Sequence, residues 1–97
     1  MEVKEIKKEV GQLQFVIDRI KDIRLQKAMS QLELSLKSNL SQSFLASVEK
    51  GKKQPSVLTL LRIANALEVS PKSFFPDPQE MSKGEKKGII IDLIRSL

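Results

Sequence analysis

The sequence predicts an all-α domain, on three observations. Apolar residues recur at spacings of three and four in successive short segments; a serine stands before most of these segments and a turn-forming residue after several of them. In addition, no stretch alternates with a period of two over a strand's length, and no repeat of roughly 20–50 residues is visible. With 97 residues the chain makes one small domain with appendages, and a chain of that size buries only about 60–65% of its unfolded surface.

The first core helix is read from Val16, Ile17, Ile20 and Ile23, interleaved with Asp18, Arg19, Lys21, Asp22 and Arg24, and runs to about Lys27. Ser30 and Glu33 form a capping box ahead of Leu32 and Leu34, so a second helix is expected over Gln31 to Ser38. Asn39 ends it, because Asn tolerates the left-handed backbone of a tight turn better than any residue but Gly. Ser41 caps a third helix, Gln42 to Lys50, with Leu45 and Val48 inward and Gly51 at its C-terminal stop. After a Lys-Lys-Gln-Pro loop, Ser56 caps a fourth helix with apolar positions 57, 60, 61, 63, 64 and 67. A fifth begins at Ser70-Pro71 and brings Phe74 and Phe75 onto the core before Pro76-Asp77-Pro78 stops it.

Composition closes several function classes. There is no Cys and no His, so disulfides, thiolate or imidazole metal sites and Ser-His-Asp or Cys-His catalysis are all excluded; neither a cofactor nor a metal is expected, and the chain reads as no enzyme. Lysines and glutamates interleave through residues 1–10, unlike the apolar core of a signal peptide, and the longest apolar run, near Ile89-Ile90-Ile91, is too short to span a membrane. A cytoplasmic location is expected. The net charge of +5 is concentrated in the middle: residues 15–75 hold ten basic and five acidic side chains, while both ends are neutral. A basic centre suits a polyanionic partner, although charge alone decides little.

The residues Ile20, Ile23, Arg24, Ser30-Gln31, Leu34, Leu40-Ser41, Leu45, Val48-Glu49, Gly51-Lys52, Pro55-Ser56, Leu60, Ile63-Ala64, Leu67, Val69-Ser70 and Phe74-Phe75 stand in an order and spacing that a mere run of helices would not reproduce. In these positions the chain resembles the Xre/Cro family of helix-turn-helix domains, the five-helix lambda-repressor-like fold. It departs from that pattern at Ser35, usually Ala, at Ser38, usually a small apolar residue, and at Asn39, usually Gly.

A third helix of this length fits the roughly 12 Å wide major groove of DNA, with its N-terminal turn against base edges and the preceding helix across the backbone. With Leu45 and Val48 inward, Gln42, Ser43, Ala46 and Ser47 face outward as candidate base contacts. Gln42 leads, since Gln bonds bidentately to adenine; the serines read several bases and Ala46 only a thymine methyl. Phe44 either presses on thymine methyls or folds inward beside Val48. The resemblance implies a phosphate contact for Gln31. Asn39 and Ser41 in the turn, and Lys52 and Lys53 just after the third helix, complete the candidate phosphate set, aided by unpaired N–H groups at helix N-termini. The resemblance also implies that Arg24 and Glu49 form a buried structural ion pair between helices one and three.

Residues 1–14 form an N-terminal extension in which Val3, Ile6, Val10 and Leu13 lead into Ile17 and Ile20 with heptad spacing. The sequence leaves open whether Gly11 breaks this helix or lies inside one long helix. Leu25, Leu32 and Leu36 fall at positions the family keeps polar, and the N-terminal helix is the candidate cover. Residues 76–97 are read as a linker and a C-terminal helix, opened by Ser82 and Glu85, whose Ile90, Leu93, Ile94 and Leu97 are assigned to a dimer contact, since the five-helix core leaves them nothing to fill; packing on the chain's own domain is the alternative, ahead of a membrane-surface helix. The function expected is a homodimeric, sequence-specific regulator, most simply a repressor, acting on a two-fold operator in double-stranded DNA. The alternative is an antitoxin or adaptor whose main partner is another protein.

Overall fold

The computed structural model describes residues 3–77. Its elements are α1 (Val3–Gln26), α2 (Gln31–Ser38), α3 (Gln42–Glu49), α4 (Val57–Leu67) and a single 3₁₀ turn over Pro71–Phe74. Among the described residues there is no strand. Ile20, Leu34, Leu45, Ile63, Leu67 and Phe74 are fully enclosed, so each helix and the 3₁₀ turn contributes to one core.

Each element after α1 starts on a serine whose hydroxyl accepts a backbone N–H. Ser30 takes Glu33, Ser41 takes Phe44, Ser56 takes Thr59 and Ser70 takes Lys72, all with extended backbone at the cap. The four helices end by one device as well. A left-handed residue follows the last turn, and the next N–H bonds back five residues: Met29 to Arg24 O (3.1 Å), Leu40 to Ser35 O (2.9 Å), Lys52 to Ser47 O (2.9 Å) and Val69 to Ala64 O (3.0 Å). The left-handed residues are Ala28 (φ 53°), Asn39 (φ 57°), Gly51 (φ 76°) and Glu68 (φ 58°). The sequence marks two of these stops, Asn39 and Gly51. Ala28 and Glu68 adopt the same conformation against a side-chain penalty of about 1–2 kcal/mol.

One open alternative is decided and two expectations change. Of the two courses left open at Gly11, α1 takes the single long helix, running unbroken from the N-terminal extension into the first core helix. The cost of one helical Gly, about 1 kcal/mol, is met by the strong helix formers Lys, Glu and Gln around it. Leu25, Leu32 and Leu36 are therefore not covered by that extension, which simply continues the helix bearing Leu25; they stay 55%, 51% and 73% exposed. The fifth element is one 3₁₀ turn, as suits four residues closed between Ser70-Pro71 and Pro76. Phe74 is buried by it, but Phe75 remains half-exposed. Arg19 of α1 holds the turn by donating from Nε to the Ser73 carbonyl at 3.1 Å. The expected C-terminal helix, with Ile90, Leu93, Ile94 and Leu97, lies outside the described residues.

Candidate nucleic-acid interface

The site is built on α2, the Asn39-Leu40-Ser41 turn and α3. Leu34 anchors α2, and Leu45 and Val48 anchor α3, all at 0% exposure, which fixes both helices by their inner faces. The two serines that depart from the family pattern are accommodated by hydrogen bonding. Ser35 Oγ donates to Leu32 O at 2.7 Å and Ser38 Oγ donates to Leu34 O, so neither hydroxyl is buried unpaired. Asn39, in place of Gly, holds the left-handed turn that swings the chain from α2 into α3.

With its inner face fixed, α3 leaves Gln42 and Ser43 exposed and Ala46 and Ser47 partly exposed. Phe44 takes an intermediate position: half-buried, with Lys53 Nζ 5.7 Å from its ring centroid. Lys52 and Lys53 are brought back along α3 because both of their N–H groups bond to Ser47 O, at 2.9 and 3.3 Å. The loop cations therefore stand beside the same helix that carries the outward polar residues. Asn39 and Ser41 are exposed in the turn, and the Ser41 hydroxyl is engaged as the helix cap at 3.1 Å from Phe44 N.

Behind this face Arg24 and Glu49 clamp α1 to α3. Arg24 Nε donates to Glu49 Oε2 at 2.8 Å and Nη2 to Oε1 at 2.9 Å, while Nη1 donates to Met29 O at 2.8 Å. The side chains are 8% and 2% exposed, so this pair is a strut inside the domain. Sequence reasoning gave Gln31 no part in it. In the structure Gln31 Nε2 donates to Glu49 Oε1 at 3.2 Å, which orients the amide from below. An amide nitrogen carries two hydrogens, and this bond uses one of them. The only signal for this tie in the sequence is that Gln31 opens the helix facing Glu49.

Among the described residues no group of acidic side chains could hold a metal ion, and no helix is long and apolar enough to cross a membrane.

A chain with this helix pair and this buried clamp is a helix-turn-helix protein. The helix-turn-helix family model matches residues 20–74, more than half the chain, and the protein belongs to that family. Over 51 residues it is 43% identical to the immunity repressor protein of Bacillus phage phi105, a match covering 53% of this chain and 35% of that one. Over 48 residues it is 42% identical to an uncharacterised HTH-type transcriptional regulator of Sinorhizobium fredii, covering 50% and 62% of the two chains. The chain thus spans less than two thirds of either relative. Among solved structures it resembles the restriction-modification controller protein C.AhdI of Aeromonas hydrophila, with a TM-score of 0.64 and 31% identity over 67% of this chain and 98% of that one. The controller protein C.Esp1396I, solved as a tetramer in complex with its natural 35 base-pair operator, matches with a TM-score of 0.61 and 37% identity, covering 64% and 82%.

Proposed function

We propose that this protein is a sequence-specific DNA-binding transcriptional regulator, acting as a homodimeric repressor on a two-fold operator, with α3 as the reading helix and no catalytic role. The observation that carries the proposal is the pairing of an outward polar face on α3 with Lys52 and Lys53 folded back beside it. One helix then meets base edges while the adjacent cations meet phosphates. Gln42, Ser43, Phe44, Ala46 and Ser47 are assigned to the bases, and Gln31, Asn39, Ser41, Lys52 and Lys53 to the backbone. The phage repressor and the operator-bound controller support this reading by kinship. The location this reading implies is the cytoplasm. Exposed Leu36 on α2 and Leu58 and Leu61 on α4 offer apolar surface for a second copy.

The test is retardation and footprinting of the DNA upstream of the protein's own gene by the purified full-length chain. The expected result is a salt-sensitive complex whose two protected half-sites lie about 34–36 Å apart, one helical turn. Protection no stronger than on unrelated DNA would overturn the proposal and favour a protein partner instead.

A further inference from the structure

Helix α1 is longer than the domain it serves. Its buried stripe of Val16, Ile17, Ile20 and Ile23 packs on the core, but the same stripe continues N-terminally through Leu13, which is partly buried, to Val10 and Ile6, which are exposed. Val10 is 59% and Ile6 46% exposed. At about 1.5 Å per residue this overhang reaches roughly 15 Å beyond Val16. At its base lies a cavity of about 320 Å³ lined by Leu13, Val16, Pro55, Leu60, Phe75 and Pro76, with Gln12 as its one polar residue. The overhang and the cavity form one apolar shelf.

The chain leaves the described structure at the rim of this shelf, since Pro76 lines the cavity and Asp77 is the last residue described. Residues 78–97 follow, carrying Ile90, Leu93, Ile94 and Leu97 at spacings of three and one. We propose that this C-terminal segment docks in cis on the apolar shelf, laying Ile90, Leu93, Ile94 and Leu97 against Ile6, Val10 and Leu13 of the same chain. The twelve residues from Pro78 to Ile89 span up to about 40 Å at roughly 3.3 Å each, so reach sets no obstacle. The shelf also removes the reason for assigning these residues to a dimer. That assignment assumes that the five-helix core leaves them nothing on their own chain to fill, whereas the shelf is an unfilled apolar surface beside their point of departure. A second copy is the competing occupant, but it would have to bring its own segment to a shelf that each chain already carries. The inference does not depend on DNA binding.

The protein contains no cysteine, so an engineered pair reports on proximity without a background. Full-length chains carrying Val10→Cys together with Ile90→Cys, Ile94→Cys or Leu97→Cys are oxidised at low micromolar concentration and weighed by mass spectrometry. Leu25→Cys, on the opposite end of α1 and equally open, is combined with the same three positions as the control. The expected result is a closed monomer, two hydrogens lighter, formed in at least one Val10→Cys chain about tenfold faster than in any Leu25→Cys chain. A disulfide needs Cα atoms within about 7 Å, so the closed monomer places the segment on the shelf. Covalent dimers in place of closed monomers would show that the segment serves a second copy. Dimers, equal rates in the two series, or no closure in any chain would each overturn the proposal.

Discussion

Truncating Glu49 to Ala removes the acceptor for three donors at once: Arg24 Nε at 2.8 Å, Arg24 Nη2 at 2.9 Å and Gln31 Nε2 at 3.2 Å. The guanidinium is left in a site where its side chain is 8% exposed, with Met29 O at 2.8 Å as its remaining partner. Breaking a buried pair in this way costs about 3–5 kcal/mol. Domains of this size hold only about 5–15 kcal/mol in all. At about 4–8 °C per kcal/mol for a domain of 60–100 residues, the melting midpoint should fall by roughly 12–40 °C. The assay is thermal and urea unfolding followed by far-UV circular dichroism. The double replacement Arg24→Met with Glu49→Leu should recover most of the loss, because no charge is then stranded in the core. The reasoning is refuted if Glu49→Ala shifts stability by less than about 1 kcal/mol, the range of an exposed pair. It is equally refuted if the double replacement is as unstable as the single one.

Gln42→Ala should weaken binding to the preferred site by about 1–3 kcal/mol and to random DNA by much less, as fluorescence anisotropy titrations on both DNAs will show; equal losses would remove Gln42 from the base-reading set. Lys52→Ala and Lys53→Ala should weaken binding to every sequence and lower the slope of log K against log salt by about one each, and an unchanged slope would place both lysines off the DNA. Ala28→Gly and Glu68→Gly should each raise the urea midpoint by the equivalent of about 0.5–1 kcal/mol, the relief of a left-handed side chain of about 1–2 kcal/mol less the extra flexibility of glycine in the unfolded chain. Gly51→Ala, at φ 76°, should move the midpoint the other way by about 1 kcal/mol.

What was legible in the sequence is what the chain encodes locally. Helices α2 and α4 begin where Ser30 and Ser56 announce them, and α3 begins after Ser41, because an N-cap is a contact across three residues and leaves its pattern in three letters. Asn39 and Gly51 were readable as stops for the same reason. Ala28 and Glu68 were not, since their left-handed conformation is imposed by the Schellman bonds of Met29 and Val69 and by the packing beyond, against local preference. The unbroken course of α1 past Gly11 was equally hidden: a single unfavourable residue cannot be weighed until the flanking turns are seen to form. In the site, the helix that faces outward and the residues on its open face followed from periodicity. The fit of Gln31 under Glu49 and of Lys53 over the Phe44 ring did not, because both depend on how separate segments meet in space.

The serine caps have a kinetic side. Each helix after α1 carries its own start, and each of the four helices its own stop, within a span of about six residues, so most of the geometry is decided before distant parts of the chain meet. The side-chain ties between distant segments include α2 to α3 through Gln31 and Glu49, 18 residues apart, α1 to α3 through Arg24 and Glu49, 25 apart, and α1 to the 3₁₀ turn through Arg19 and Ser73, 54 apart. Loop-closure entropy rises only as the logarithm of length, and helical domains rich in local contacts fold in microseconds to milliseconds. The protein should therefore refold within the dead time or first milliseconds of a stopped-flow dilution. Helix α3 would then recover quickly after each thermal excursion that opens it.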